Sequence, residues 1–210
     1  MPDLVAATRI YQSASDYIVQ AGLKAEVEQQ RAANFYEFTE SQFLRETAWV
    51  VLCSGFREKV VRNIFDYISL CFCDWESAEA IVRADPACRL AALSSFGHRQ
   101  KIDAIALAAH HLWEVGFERF KRAVLADPLA ELRRLPYVGP ITVFHLAKNL
   151  GLDVAKPDRH LARLAIELGF SDTFHLCAEL AHLTGEHLKV IDLVIWRYLA
   201  DTLVANRATS

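Results

Sequence analysis

Asp158 stands between Pro157 and a run, Arg159 to Leu168, whose apolar residues recur at helical spacing. A carboxylate there can cap the helix by accepting from its first backbone N–H groups. The helix end also favours the ionised form of the side chain. An ionised carboxylate held in place can stabilise developing positive charge, or orient and deprotonate a water molecule. The cap and the chemical role are compatible, and the residues alone leave both open. Lys156, two positions earlier, offers an amine that could serve as a nucleophile, as a phosphate contact or as a solvated loop charge.

Upstream lies the segment Leu132 to Arg163, LRRLPYVGPITVFHLAKNLGLDVAKPDRHLAR. One helix is expected to end near Arg134. Leu135 to Gly139 then turns tightly, and a second helix starts at about Pro140, whose ring pre-sets φ for a first helical turn. Gly139 sits where the backbone is expected to need a positive φ or a close approach to a ligand. The N–H groups of such a helix start can bind a phosphate without reading sequence. An ordinary turn between two core helices is the alternative.

The elements that must position these groups read as helices almost throughout. Val5 to Phe38 carries a break near Gly22. Ser41 to Ser54 begins with a cap-competent serine and ends at Gly55. Helices are expected over Glu58–Phe72, Glu76–Arg83, Ala87–Leu93, Lys101–Val115 and Phe117–Ala126. Asp127-Pro128 opens another that runs to Arg134. Three more complete the chain: Ile141–Leu150, Arg159–Leu168 and Glu186–Leu203, followed by a short polar tail, Arg207–Ser210. No alternating strand pattern and no internal repeat is seen, so the fold class is all-α. Trp49, Trp113 and Trp196 lie in apolar helical patterns and are expected in the core.

The chain has 210 residues, is 53% apolar and carries a net charge of −3. No apolar run reaches the roughly 18 residues that span a bilayer, and Met1 to Ile10 lacks the pattern of a secretory signal. A soluble intracellular protein, free of the membrane, is expected. The charge is uneven. From Arg133 to Arg163 the chain carries Arg133, Arg134, Lys148, Lys156, Arg159 and Arg163 against Asp153 and Asp158, a local balance of +4. A basic segment on an acidic body fits a protein that meets phosphate on one face. The five cysteines form no C-x-x-C pair and read as reduced core thiols. The histidines show no zinc-binding spacing.

The hairpin and the aspartate together resemble the helix-hairpin-helix DNA glycosylase superfamily, whose pattern is L-P-G-V-G-x-x-T/A followed by D-x-H-x-x-R. This chain reads Leu135-Pro136-Tyr137-Val138-Gly139-Pro140-Ile141-Thr142, then Asp158-Arg159-His160-Leu161-Ala162-Arg163. It is most similar to the compact 8-oxoguanine glycosylases of archaea and some thermophiles. Phe144 to Gly151 resembles their hairpin helix, S-H-F-L-R-N-x-G, and Ile191-Asp192-Leu193-Val194-Ile195-Trp196 resembles their last helix, I/M-D-L-L-L-W. Val51 to Phe56 looks like the family's helix end facing DNA. Phe96 to Lys101 looks like the turn into its next helix.

The resemblance implies a two-lobed helical fold, with a helical segment over residues 1–40 and the glycosylase domain over residues 41–206. The hairpin falls at 132–150 and the catalytic loop at 153–163. It implies Asp158 as the catalytic carboxylate. DNA contacts would come from Tyr137, Val138, Gly139, Ile141, Thr142, Lys148, Lys156, Arg159 and Arg163. Phe56, Arg57 and His145 would serve as base wedge or base pocket, with Phe56 filling the gap left by a flipped base. His160 would support Asp158 or bind phosphate; Arg57, Arg99 and Lys101 could contact phosphate, though each by itself reads as a solvated surface charge. The implied partner is duplex DNA with a modified base, met by a monomer.

Two departures matter. Bifunctional members carry a nucleophilic lysine at the position of Ile141. Isoleucine has no nucleophile, which points to a water-using, monofunctional enzyme. A glycosylase/lyase with a displaced lysine such as Lys156, or a DNA-binding module without chemistry, are the competing readings. Tyr137 replaces the usual first hairpin glycine. No cofactor is required by this reading, and the four-cysteine iron–sulfur loop of some relatives is absent, since only Cys177 lies beyond Asp158. A monovalent cation at the hairpin is compatible with it.

Overall fold

The computed structural model describes the backbone of residues 1–208 and the side chains of residues 1–202. Helices account for all the regular structure among these residues, so the fold is all-α as expected. In chain order they are α1 (Leu4–Gln20), α2 (Lys24–Ala32), α3 (Glu40–Cys53), α4 (Glu58–Cys71), α5 (Ala78–Ala84), α6 (Ala87–Ser95) and α7 (Arg99–Val115). They continue with α8 (Phe117–Ala126), α9 (Pro128–Leu132), α10 (Thr142–Asn149), α11 (Arg159–Glu167), α12 (Thr173–Thr184) and α13 (Leu188–Ala208). A 3₁₀ turn, Cys73–Trp75, follows α4. No helix among the described residues is long and apolar enough to cross a membrane.

Most helix ends fall where the sequence signals them, and the exceptions have identifiable causes. The break after α1 falls at Gly22, with φ 73°. Helix α3 starts one turn-fraction earlier than the serine suggested. Thr39, not Ser41, is its cap: the Thr39 hydroxyl accepts from Gln42 N at 3.2 Å while Gln42 Oε1 accepts from Thr39 N at 2.9 Å. This reciprocal capping box satisfies two donors at once, which a lone serine cannot do. Helix α12 is absent from the expected elements. Asp172 caps it by accepting from His175 N at 2.8 Å, and it buries Leu176, Cys177 and Leu180. Of the tail expected at Arg207–Ser210, the backbone of Arg207 and Ala208 continues α13, and the rest lies outside the described residues.

The chain forms two compact units that do not coincide with a boundary at residue 40: Asn34–Leu150 is one, and residues 1–33 join the chain from Gly151 onward in the other. In the discontinuous unit, α13 is the central helix. Its Ile191 and Ile195 pack with Leu161, Leu164 and Ala165 of α11 and with Leu176 and Leu180 of α12. Its Val190 and Val194 pack with Ala14 and Ile18 of α1 and Val27 of α2. Two ion pairs fasten α2 to this framework, Arg31 to Glu186 at 2.6 Å and Arg197 to Glu26 at 2.5 Å. Lys189 is 4% exposed, and its ammonium donates to the Ala33 and Gly151 carbonyls, where the chain leaves and re-enters this unit.

In the other unit, α3 and α7 form the centre. Phe43 packs on Phe120 with ring centroids 4.6 Å apart, and Trp75 stacks on Phe72 at 5.4 Å. The five cysteines are free thiols. Cys88 and Cys177 are buried, whereas Cys53, Cys71 and Cys73 are half-exposed rather than core. Burial, reinforced by the neighbouring Cys73, pushes the Cys88 thiol up to about 12. Trp49 is half-buried against Phe65 at 5.0 Å and Trp196 is half-buried in the α11–α13 core. Trp113 departs from the expected core placement: it is 53% exposed, because the apolar stripe of α7 that meets the core runs through Ile102, Ile105, Ala109 and Leu112.

Leu161 is fully buried in the first turn after Asp158 and anchors the helix that presents it. Leu161→Ala is expected to cost about 2–5 kcal/mol of folding stability by opening a cavity, measured by urea titration.

Candidate functional site

Asp158 is the N-cap of α11, with extended backbone at φ −80°, ψ 164°. Its Oδ1 accepts from His160 N at 2.8 Å and Leu161 N at 3.0 Å. Both bonds fall on one oxygen, so Oδ2 accepts from no group among the described residues. The residue is 8% exposed. The result is a fixed carboxylate at the positive end of a helix with one oxygen uncommitted, an arrangement suited to a developing cation or a water. Lys156 is half-buried, and Arg159 and Arg163 are exposed. Arg163 pairs with Glu167 at 2.8 Å. His160 lies beside Arg159, whose Nε donates to His160 Nε2 at 3.3 Å. Asp158, Lys156, Arg159 and Arg163 thus belong to the discontinuous unit.

The hairpin belongs to the other unit. Helix α9 ends at Leu132 rather than Arg134; Arg133 and Arg134 begin the turn, with Arg134 N donating to Glu131 O at 3.2 Å. Val138 N donates to Leu135 O at 3.1 Å, and Val143 N to Gly139 O at 3.0 Å. The left-handed residue of the turn is Tyr137, with φ 64°, and not Gly139, for which a positive φ is one of the two expectations. A non-glycine residue pays roughly 1–2 kcal/mol for this conformation. Gly139 lies outside the positive-φ region, and a Cβ there would meet only Thr142 Oγ1, at 3.8 Å. Its backbone therefore has room for a side chain, and the turn does not require a glycine at 139.

Thr142 ties the loop together. Its hydroxyl accepts from Gly139 N at 2.6 Å and lies 3.3 Å from Gly139 O. The Ile141 and Thr142 N–H groups find no acceptor among the described residues. Ile141 is 44% exposed and Tyr137 39% exposed, while Val138 is buried. The hairpin thus exposes a tyrosine and an isoleucine. In α10, His145 is half-buried. Lys148, expected on phosphate, is only 6% exposed, because it lies on the face that buries Leu146 and Ala147. Asn149 donates to Glu46 at 2.8 Å, which ties α10 to α3. Burial pushes the Glu46 carboxyl up, opposed by Arg45 and Asn149.

Phe56 sits in the turn after α3 and is 40% exposed. Its ring packs on Phe96 at 5.1 Å and on His98 at 5.9 Å, and His98 meets Tyr137 at 6.2 Å. Arg57, exposed, is the N-cap residue ahead of α4. Phe56, Phe96, His98 and Arg99 border a surface depression of about 640 Å³. The structure thereby brings Phe56 and the hairpin tyrosine onto one aromatic cluster. Lys101, read from sequence as a surface charge, is 2% exposed. Two further buried charges received no role from the sequence, Lys189 and Asp192, at 4% and 1% exposure. The sequence does hold a signal for both: charged residues in the apolar run from Leu188 to Ile195 must face inward on some side.

No family model and no curated protein matches the sequence. A solved structure matches in fold: the crystal structure of Methanocaldococcus jannaschii 8-oxoguanine glycosylase/lyase in complex with a 15mer DNA containing 8-oxoguanine. It is 17% identical, over 92% of this chain and 96% of that one, with a TM-score of 0.57. The likeness is one of fold, and the all-helical architecture of this chain is that of the glycosylase.

Tyr137→Ala and Tyr137→Gly both remove the ring, but only glycine relieves the left-handed conformation. Tyr137→Gly is expected to be the more stable of the two by about 1 kcal/mol, read from thermal or chemical unfolding of both variants.

Proposed function

We propose that this chain is a monofunctional DNA glycosylase. It binds duplex DNA, turns a modified base out of the helix, and hydrolyses the N-glycosidic bond to leave an abasic site. The observation that carries this reading is the Asp158 carboxylate, capped through one oxygen and free at the other, on a fold shared with a glycosylase/lyase crystallised on DNA. Breaking an N-glycosidic bond builds positive charge on the deoxyribose. A carboxylate beside that carbon stabilises the charge, and its uncommitted oxygen can accept a proton from the attacking water. The fixed cap orients the group in advance, so little reorganisation is needed during reaction.

Ile141 supports hydrolysis over strand cleavage. It is exposed on the hairpin rim, at the position where bifunctional relatives of the resembled family carry their lysine, and it has no nucleophilic atom. Lys156 favours a second reading, a glycosylase/lyase, because its amine is two residues from Asp158 and half-buried. Borohydride trapping on substrate DNA separates the two, since only a Schiff base yields a covalent adduct. The partner is duplex DNA bearing the modified base, and the protein works as an intracellular monomer. Phosphate contacts come from the hairpin amides and from Arg159, which is exposed beside Asp158. Phe56 is the wedge that fills the vacated stack.

Incubation with duplexes bearing oxidised, deaminated, alkylated or hypermodified bases, followed by hot alkali, is expected to produce breaks on at least one. With that substrate, Asp158→Asn is expected to lose at least about a hundredfold in rate. Its stability is expected to change by less than about 1 kcal/mol, because asparagine caps as well as aspartate. Parent-rate cleavage by Asp158→Asn would remove the catalytic assignment, and alkali-stable DNA throughout would leave a DNA-binding module. Gly139→Ala is expected to shift stability by no more than about 0.5 kcal/mol yet weaken duplex binding in a fluorescence titration, since its Cβ meets a ligand rather than the protein.

A further inference from the structure

Asp158 stands at the end of an irregular segment, residues 150–158, that joins α10 to α11. Among the described residues this segment bonds its backbone to itself only in two narrow turns: Val154 N donates to Leu152 O at 2.9 Å, and Asp158 N to Lys156 O at 2.7 Å. Bonds of that span cannot fix where the whole segment runs. The start of α13 does so. The Lys189 ammonium donates to the Gly151 carbonyl at 3.2 Å, and the Lys189 amide donates to Asp153 Oδ1 at 3.0 Å. The other oxygen of Asp153 lies 3.4 Å from His187 Nδ1. Two residues on, Ala155 is buried in the core that holds Ile191 and Ile195. Positions 151, 153 and 155 are therefore held by α13 and the residue before it, and position 158 by α11.

Lys189 holds two of these points with two different groups. It is 4% exposed, and burial lowers its ammonium from the ordinary lysine range, against the pull of Asp153 and Glu186. A hydrophobic side chain of similar length would fill the same space without the cost of taking a charge out of water. Filling space therefore does not account for the lysine, whereas fixing the Ala33 and Gly151 carbonyls does.

We infer that Lys189 is a positioning residue for Asp158: together with Asp153 it sets the register of the 150–158 segment on α13, and so the direction in which the carboxylate is presented. The inference rests on the catalytic part of the proposed function. The bonds from His160 N and Leu161 N hold Asp158 Oδ1 to α11. The aim of Oδ2 depends also on the backbone that enters Asp158 from the 150–158 side. A carboxylate that must meet one carbon is sensitive to that aim, since a displacement on the order of 1 Å can cost up to a hundredfold in rate.

The experiment compares Asp153→Ala, Asp153→Asn and Lys189→Met, each alone and combined with Asp158→Asn, in single-turnover cleavage of a duplex that the parent cleaves. Affinity for an undamaged duplex is measured alongside. Asp153→Ala and Lys189→Met are expected to lower the rate about tenfold while affinity stays within about twofold. Asp153→Asn keeps an oxygen that can accept from the Lys189 amide and is expected to stay within about twofold of the parent rate. Combined with Asp158→Asn, Asp153→Ala and Lys189→Met are expected to change the residual rate by less than about twofold, because the group they position is already gone. Equal losses in both backgrounds, or the parent rate in Asp153→Ala, overturn the inference. Asp153 lies at the surface, its side chain 44% exposed, so Asp153→Ala decides the matter where Lys189→Met fails to fold. NMR gives a reading that needs no DNA: the His160 and Leu161 amide signals are expected to shift in Asp153→Ala and to return in Asp153→Asn. Amide signals that stay in place in Asp153→Ala overturn the inference. Absence of cleavage by the parent on every duplex would instead count against the proposed function, with the amide signals still deciding the positioning.

Discussion

A chain made only of helices must dispose of the backbone groups that helix ends leave unpaired, four N–H and four C=O at each helix. Where those ends are buried, water cannot serve them and side chains must. In this protein several of the residues that do so also carry the candidate functional groups. Asp158 satisfies two amides of α11. Thr142 satisfies the Gly139 amide ahead of α10. Lys101 satisfies three carbonyls at the end of α3, and Lys189 satisfies the carbonyls of Ala33 and Gly151. Removing any of these leaves a polar group stranded, so the geometry of the site is held by the same bonds that hold the helices.

The buried lysines illustrate how charge is tolerated in such a core. Taking an ammonium out of water is costly, and burial lowers both Lys101 and Lys189 from their ordinary range. Convergent carbonyls offset part of that cost because helix C-termini carry partial negative charge. Lys101 gains further from two aromatic faces. The hairpin strain at Tyr137 finds its compensation in the same cluster: the ring that costs the turn its easy conformation also contacts His98, Gln100 and the Lys101 ammonium.

Each unit carries its own candidate groups. The carboxylate and its basic neighbours are carried by the discontinuous unit, and the hairpin and the aromatic cluster by the other. A core of α11–α13 supports Asp158, and the α3–α7 framework supports Phe56 and Tyr137. The chemistry proposed for Asp158 and the DNA contacts proposed for the hairpin therefore rest on different cores.

Much of this is written in local sequence. Helical periodicity, Pro128 after Asp127, Gly55 after α3 and the Asp158 cap are all short-range signals, since they depend on spacing within one turn. The all-helical class, most helix limits and the Asp158 cap were legible for that reason. Other features depend on residues far apart in the chain, and only tertiary structure decided them. Nothing near Lys101 in sequence shows that three α3 carbonyls about fifty positions earlier will bury it, so it reads as a surface charge. Tyr137, not Gly139, takes the left-handed turn because Lys101, His98 and Gln100 surround its ring. Lys148 is buried and Trp113 exposed because the orientation of a helix face is set by what packs against it, and helical period alone cannot tell which of its faces turns inward.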